Sequence, residues 1–405
     1  MIQKIIHRIL KRRHFWRDAS FSEVAELYAS RMLRMMALSL SMGFISIYLY
    51  QNGYSVFFIT VFWASFYLFK SCVALPAASF VAKFGPKHGI FISNLLFIPA
   101  MIAFAVLPSL GAWVLLVVAF FQGISVTLYS IAYNVDFSKV KSIEHAGKEI
   151  AYMNIVEKIT TGLSPLIGGV VAFLVGPQIV LVSAAVLFAL AALPLMKTAE
   201  PVHIHQKLKF KGLPWRLVRR VAASEMALGF DVFASGIVWS LFTAITIIGV
   251  GANNEVYITN GILISVILFA ALAASYAFGK LIDKRRGGDL MMIASVANSL
   301  SHLARPFISS PVGIAGLNIA NETATTGYVM AYTRGNFDNA DLSGARVTYL
   351  GVTEVIANFG AALAAATLAL LVSFVSDERG MQYFFFITAA VVLLVATARF
   401  PLYRR

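Results

Sequence analysis

The sequence is short of charge. Asp, Glu, Lys and Arg make up 13% of its 405 residues, about half the share of a soluble domain. The shortage is uneven. No charged residue occurs from Met35 to Phe69, from Ile90 to Val135, or from Ile159 to Met196. Roughly 20 apolar residues already span a bilayer, so stretches of this length exclude a soluble globular fold. Cysteine is nearly absent as well. The single Cys72 rules out an intramolecular disulfide and a cysteine-based metal site. There is no G-x-x-x-x-G-K-[ST] loop to cradle ATP phosphates and no H-E-x-x-H pattern, and His88, His145 and His302 are scattered. An ATP-driven pump and a membrane-embedded enzyme are therefore not expected, nor is any cofactor. The net charge of +14 comes without a basic-aromatic motif, so nucleic acid is not an expected partner.

What is present is hydrophobic: 59% of residues, with a mean hydropathy of +0.78. The pattern predicts an all-α membrane protein with twelve transmembrane helices, at roughly 27–51, 55–82, 86–107, 112–134, 147–175, 178–196, 223–250, 255–281, 289–309, 312–333, 345–375 and 381–401. Turn-forming residues separate them, as at Gln51-Asn52-Gly53, Gly176-Pro177 and Ser309-Ser310-Pro311. Met1 to Ser22 is basic, and Ile5, Ile6, Ile9 and Leu10 share a helical face, which reads as an interfacial helix on an anionic leaflet.

Basic residues fix the topology. They cluster in the N-terminus, in the connections after even-numbered spans and in the C-terminus. Arg379 alone lies in a connection after an odd-numbered span, and Arg31, Arg34, Lys70, Lys158 and Arg305 lie inside spans. The positive-inside rule then places both termini in the cytoplasm of a multi-pass protein of the cell membrane. The chain divides into a basic N-terminus (1–26), a first six-helix bundle (27–196), a basic cytoplasmic linker (197–222) and a second six-helix bundle (223–405).

The halves echo each other. Gly147 to Gly169 reads GKEIAYMNIVEKITTGLSPLIGG, and Gly344 to Ala366 reads GARVTYLGVTEVIANFGAALAAA. An offset of 197 superposes Gly147 on Gly344, Tyr152 on Tyr349 and Glu157 on Glu354. At 3.6 residues per turn these positions form one small-residue polar stripe with a carboxylate on it. A second offset, 199, brings Gln122, Tyr129 and Tyr133 onto Asn321, Tyr328 and Tyr332. Internal repetition of this kind is a signature of secondary transporters.

Two six-span halves, a basic central loop and both ends inside resemble the major facilitator superfamily. Its G-x-L-x-D-[RK]-x-G-[RK] loop resembles Gly279-Lys280-Leu281-Ile282-Asp283-Lys284-Arg285-Arg286-Gly287, with the second glycine one place late. The first-half counterpart, Ala78 to Lys87, keeps Gly85 and the basic residues but lacks the acid. The resemblance implies that Asp283, with Gly279 and Lys284, braces a gate, the Asp facing a helix N-terminus. Gly162-Leu163-Ser164-Pro165-Leu166-Ile167-Gly168-Gly169 is similar to the G-x-x-x-G-P-x-x-G-G signature of the family's antiporters. This implies a bend at Pro165 and close helix approach at Gly168. The arginine of drug antiporters in span four and the sugar-porter and peptide-porter signatures are missing. The resemblance thus covers the fold and stops before the substrate.

Charged groups inside a membrane are costly and are functional candidates by default. Glu157 lies about ten residues, hence about 15 Å, into its helix. Burial in oil favours the neutral form of a carboxyl, a property that proton carriers use. Glu157 and Glu354 are expected to carry coupling protons or to contact a cationic group. Glu322, Asp231 and Lys70 are further candidates, and a structural ion pair of Lys70 with Glu157 or Glu322 is the competing expectation. Glu225 and Arg34 read as interfacial anchors, and Arg305 as a residue snorkelling to the outer surface. Tyr129 and Tyr328, with Gln122 and Asn321 on their faces, are candidate walls of a pocket for an organic solute.

Two readings stand. In the first, the protein is a monomeric secondary transporter that moves a small organic solute by rocking-bundle alternating access, coupled to protons, with efflux favoured by the span-five signature. In the second, it is a non-transporting protein of the same fold: a receptor, a lipid scrambler or an assembly factor.

Overall fold

The computed structural model describes residues 21–41, 44–140, 146–196, 205–249 and 255–403. The expected interfacial helix of the basic N-terminus lies outside the described residues. Among the described residues twelve helical segments follow one another. They are α1 (Phe21–Ser41, resuming as Ile45–Gln51), α2 (Val56–Phe84), α3 (Pro86–Ala105), α4 (Val114–Val140), α5 (Ala146–Val175) and α6 (Pro177–Ala192). Then come α7 (Trp215–Phe233, extended by Trp239–Thr243 between two π-helical turns), α8 (Glu255–Ser265 and Leu268–Asp283), α9 (Gly287–Ala304), α10 (Pro311–Leu342), α11 (Arg346–Phe374) and α12 (Asp377–Val392).

Local chemistry sets the boundaries. Ser55 caps α2 by accepting from the Phe58 amide at 3.2 Å, and Ser310 caps α10 in the same way from Gly313. Gly85 and Gly176, at φ 93° and 97°, turn the chain where a side chain would be strained, and Pro86 and Pro177 open the next helices. Two helices begin earlier than the hydropathy predicts. α1 is already helical at Phe21, and α7 starts at Trp215 rather than 223. The opening of α7 is amphipathic, with Val218 buried and Arg216 and Arg219 exposed, so its charges hide it from a hydropathy reading.

Ten of the segments are long and apolar enough to cross a membrane by composition. α9 and α10 fall short because Asn298 and His302, and Asn318, Asn321 and Glu322, dilute them. Large apolar side chains such as Leu116 and Phe374 stand 75% and 79% exposed on the outer surface. That is the surface lipid would cover.

Two bundles, α1–α6 and α7–α12, meet along a seam. α2 packs on α11, and α5 packs on α8. These two contacts exchange with each other when the halves are swapped, as a duplicated bundle requires. Small residues let the backbones approach. A Cβ on Gly169 would lie 2.5 Å from the Tyr257 carbonyl of α8, and one on Gly168 would lie 2.6 Å from the Leu40 carbonyl of α1.

Contacts cross the seam toward both membrane faces. On the linker face the rings of Phe137 (α4) and Phe337 (α10) lie 5.8 Å apart. On the opposite face the Tyr257 hydroxyl donates to Gln51 Oε1 at 2.5 Å, and Tyr67 meets Phe233 edge-on. The described end of the linker straps the halves together. The His205 and Gln206 amides donate to the Lys83 and Ala82 carbonyls of α2, and the Lys209 amide donates to Thr348 Oγ1 of α11.

Candidate functional site

A cavity of about 380 Å³ lies on the seam, walled by α1, α4, α5 and α10. Its charged lining comes from both halves: Arg31, Arg34, Glu157 and Lys158 from the first, Glu322 from the second. Four of these charges are spent in pairs. Arg31 meets Glu157 at 2.5 Å between α1 and α5. Lys158 meets Glu322 at 2.6 Å, joining α5 to α10 across the seam. Glu157 and Lys158 are neighbours about 100° apart on their helix, so each serves a different partner.

The aromatic lining is tied to the cations. Tyr129 and Tyr133 stack at 5.7 Å, one helical turn apart on α4. The Arg34 guanidinium lies 3.9 Å over the Tyr129 ring, and that of Arg31 lies 3.8 Å over Tyr133. Arg34 also donates to Asn94 Oδ1 of α3 at 2.7 Å and to Ser125 Oγ of α4 at 3.4 Å.

A second polar cluster fills the interior of the other half. Asp231 of α7 bonds the His302 ring at 2.7 Å, Asn298 Nδ2 at 3.1 Å, Ser235 Oγ at 2.9 Å and the Tyr328 hydroxyl. Arg305 continues the chain to His302 Nδ1 at 2.9 Å, Ser235 Oγ and Asn321 Oδ1. It also reaches the Ala234 carbonyl at 3.4 Å, where the π-helical turn Ala234–Val238 begins. Such turns loosen the regular backbone ladder and recur at functional positions.

Glu354 of α11 faces the seam. Ser130 of α4 donates to its Oε2 at 2.7 Å across the halves, and Asn358 donates to its Oε1 at 2.9 Å. Lys70 is buried on α2 with its ammonium 5.0 Å from the Tyr67 ring and within electrostatic reach of Glu354.

The structure therefore gathers Glu157, Glu322 and Tyr129 around one cavity and places Glu354 and Lys70 at the seam beside it. It takes Asp231, Tyr328 and Asn321 into the second cluster instead. Gln122 is buried inside α4. Tyr332 packs on Phe400, and Tyr349 accepts from Asn339, so neither lines the cavity. The side chain of Tyr152 is outside the described residues.

Several expectations need correcting. Lys70 forms an ion pair with neither Glu157 nor Glu322, because Arg31 and Lys158 take them. Arg305 does not snorkel: it is 1% exposed and turned inward onto α7 and α10. Arg34 and Glu225 are not interfacial anchors, being 1% and 6% exposed. His302, passed over as scattered, is fully buried against Asp231. Asn298, His302 and Arg305 repeat at four and then three residues, the spacing of one helix face, so a signal was available in the sequence.

Asp283 ends α8 on the linker face, and Arg285 follows in the left-handed region at φ 58°. Gly279 is buried and Lys284 exposed. Pro165 sits within α5, and its carbonyl faces Gly261 of α8.

The family model described as Major Facilitator Superfamily matches residues 27–365. A comparison with curated proteins finds no match. Among solved structures, the transporter FucP in its outward conformation aligns with a TM-score of 0.64 at 14% identity, covering 92% of this chain and 97% of that one. The E. coli fucose:proton symporter FucP in a second structure gives 0.63 at 14% identity with the same coverage. The human organic anion transporter MFSD10 gives 0.66 at 12% identity, again covering 92% and 97%. At such identities the likeness is one of fold. With 27–365 matched by the family model and the duplicated bundle in place, this chain belongs to the Major Facilitator Superfamily and is a multi-pass membrane protein of that family.

Proposed function

We propose that the protein is a monomeric, proton-coupled secondary transporter of a small organic solute, with the solute held in the cavity between the bundles and exported. One observation carries this reading: a charge-lined cavity sits on the seam, with walls from both halves. That is where alternating access requires a site to be. The antiporter-like signature of α5 supports export, since Gly168 and Gly169 supply its close contacts with α1 and α8. The placement of basic residues supports cytoplasmic termini in the cell membrane. Pro165 and the Asp283 loop are the parts assigned to gating.

Glu354 is the coupling carboxylate in this reading. Of the four candidate acids, Glu157 and Glu322 are held by cations and Asp231 by His302. Glu354 accepts from the neutral donors Ser130 and Asn358. Among the described residues no cation forms an ion pair with it, and its Ser130 contact crosses the seam.

The test is reconstitution. A thermal-shift screen against sugars, amino acids, lipids and hydrophobic cations supplies a binding solute, and counterflow of that solute is measured in proteoliposomes with a pH dye inside. Wild type should exchange solute and move protons with it. Glu354→Gln should exchange solute without proton movement. No counterflow of any binding solute would leave the receptor, scrambler or assembly-factor reading in its place.

A further inference from the structure

The halves carry a buried charge at equivalent positions, with opposite signs. Arg34 on α1 and Asp231 on α7 are 197 residues apart, the offset that relates Glu157 to Glu354. Their surroundings are also equivalent. Arg34 contacts Asn94 of α3 and Tyr129 of α4. Asp231 contacts Asn298 of α9 and Tyr328 of α10.

The two nodes differ in one respect. Asp231 has its counter-charge inside the protein, because Arg305 reaches it through His302 and Ser235. Arg34 has none. Its partners are an amide, a hydroxyl and an aromatic ring, and among the described residues no carboxylate forms an ion pair with it. Its buried Nε has no acceptor. The two acids of the cavity are already taken by Arg31 and Lys158, so among the described charges that line it Arg34 is the one without an oppositely charged partner. A cation held out of water without a counter-ion is costly.

Arg34 also lines the cavity, next to Met35, Leu38, Val126 and Tyr133. A guanidinium with spare donors and an apolar, aromatic wall beside it are complementary to a carboxylate, sulfonate or phosphonate carried on an organic body.

We propose that Arg34 is the receptor for an anionic group on the transported solute, which is therefore an organic anion. This assignment rests on the transport reading only for the word transported; the anion site stands on the geometry of the cavity.

The probes are five molecules of one shape. Benzoate, benzenesulfonate and phenylphosphonate are anions, benzamide is neutral, and benzylamine is a cation. Each is titrated into purified protein while the melting temperature is followed. At least one anion should raise it saturably, while benzamide and benzylamine leave it unchanged. Arg34→Gln should abolish the anion's shift. Arg34→Lys, which keeps the charge but not the planar fork, should raise the half-saturating concentration about tenfold. If Arg34→Gln does not fold, the wild-type panel and Arg34→Lys decide. No shift with all three anions, a shift with benzylamine instead, or the wild-type half-saturation in the folded variants overturns the proposal. Counterflow of the effective anion separates this from the transport reading. Binding through Arg34 without counterflow sinks transport and leaves the site. Counterflow of a neutral or cationic solute with no anion response does the reverse.

Discussion

Lys158 and Glu322 form the ion pair that ties the two halves together at the cavity wall. Both side chains are largely withdrawn from solvent, so losing one partner leaves the other charge uncompensated. Lys158→Gln and Glu322→Gln should each lower the melting temperature. A double-mutant cycle should return a coupling of about 1–3 kcal/mol, and a cycle that closes to zero would show the pair to be idle. Asp231 is a different case, since one carboxylate answers His302, Asn298, Ser235 and Tyr328 at once. Asp231→Asn keeps the shape but removes the charge facing His302 and Arg305. It should cost about 3–5 kcal/mol and appear as a loss of folded protein on extraction, whereas Asn298→Ala should cost less because the carboxylate facing His302 and Arg305 survives. Arg34 and Glu225 were misjudged from sequence for one shared reason. Their helices begin at Phe21 and Trp215, earlier than hydropathy shows. At 1.5 Å per residue Arg34 then lies about 20 Å, and Glu225 about 15 Å, from the helix start, well inside helices whose packing buries them.

At the scale of the helix, α5 carries the most demanding geometry. One side of it meets α1 at Gly168, and another meets α8 at Gly162 and Gly169. The sequence showed these glycines and Pro165, and the 197-residue repeat marked α5 and α11 as special. It did not show their partners, because a small-residue stripe names a close approach without naming the helix that approaches. α9 and α10 illustrate the converse. Their polar residues lowered the hydropathy that marks a span, yet those residues build the interior cluster around Asp231. The close approach is testable. Gly169→Leu places a branched side chain against the Tyr257 carbonyl of α8 and should force the seam open, lowering the melting temperature and abolishing counterflow. Gly176→Leu is no control, since Gly176 has φ 97° and would be strained anyway. Gly316→Leu is a suitable control, because nothing lies near its Cβ position; it should leave both measurements unchanged.

For the whole molecule, the repeat and the alternation of basic loops determined the architecture, since both are properties of the chain read end to end. Which contacts hold the halves together was not legible, because those contacts join residues that no periodicity relates. The structure supplies one on each face: Phe137 with Phe337 beside the linker, and Gln51 with Tyr257 opposite. If the bundles rock as proposed, each of these must part in turn while the cavity between them stays in register. Cysteine pairs introduced at the two places, in a chain whose exposed Cys72 has been replaced by Ser, can be bridged with a short bifunctional thiol reagent. Either bridge alone should abolish counterflow while leaving solute binding intact, because a locked face permits binding from the other side but not passage. With a bis-methanethiosulfonate as the reagent the bridge is held by disulfides, and reducing them with a dithiol should restore counterflow. Full counterflow with either face locked would mean that the halves do not rock about the cavity, and the solute's path would have to lie elsewhere.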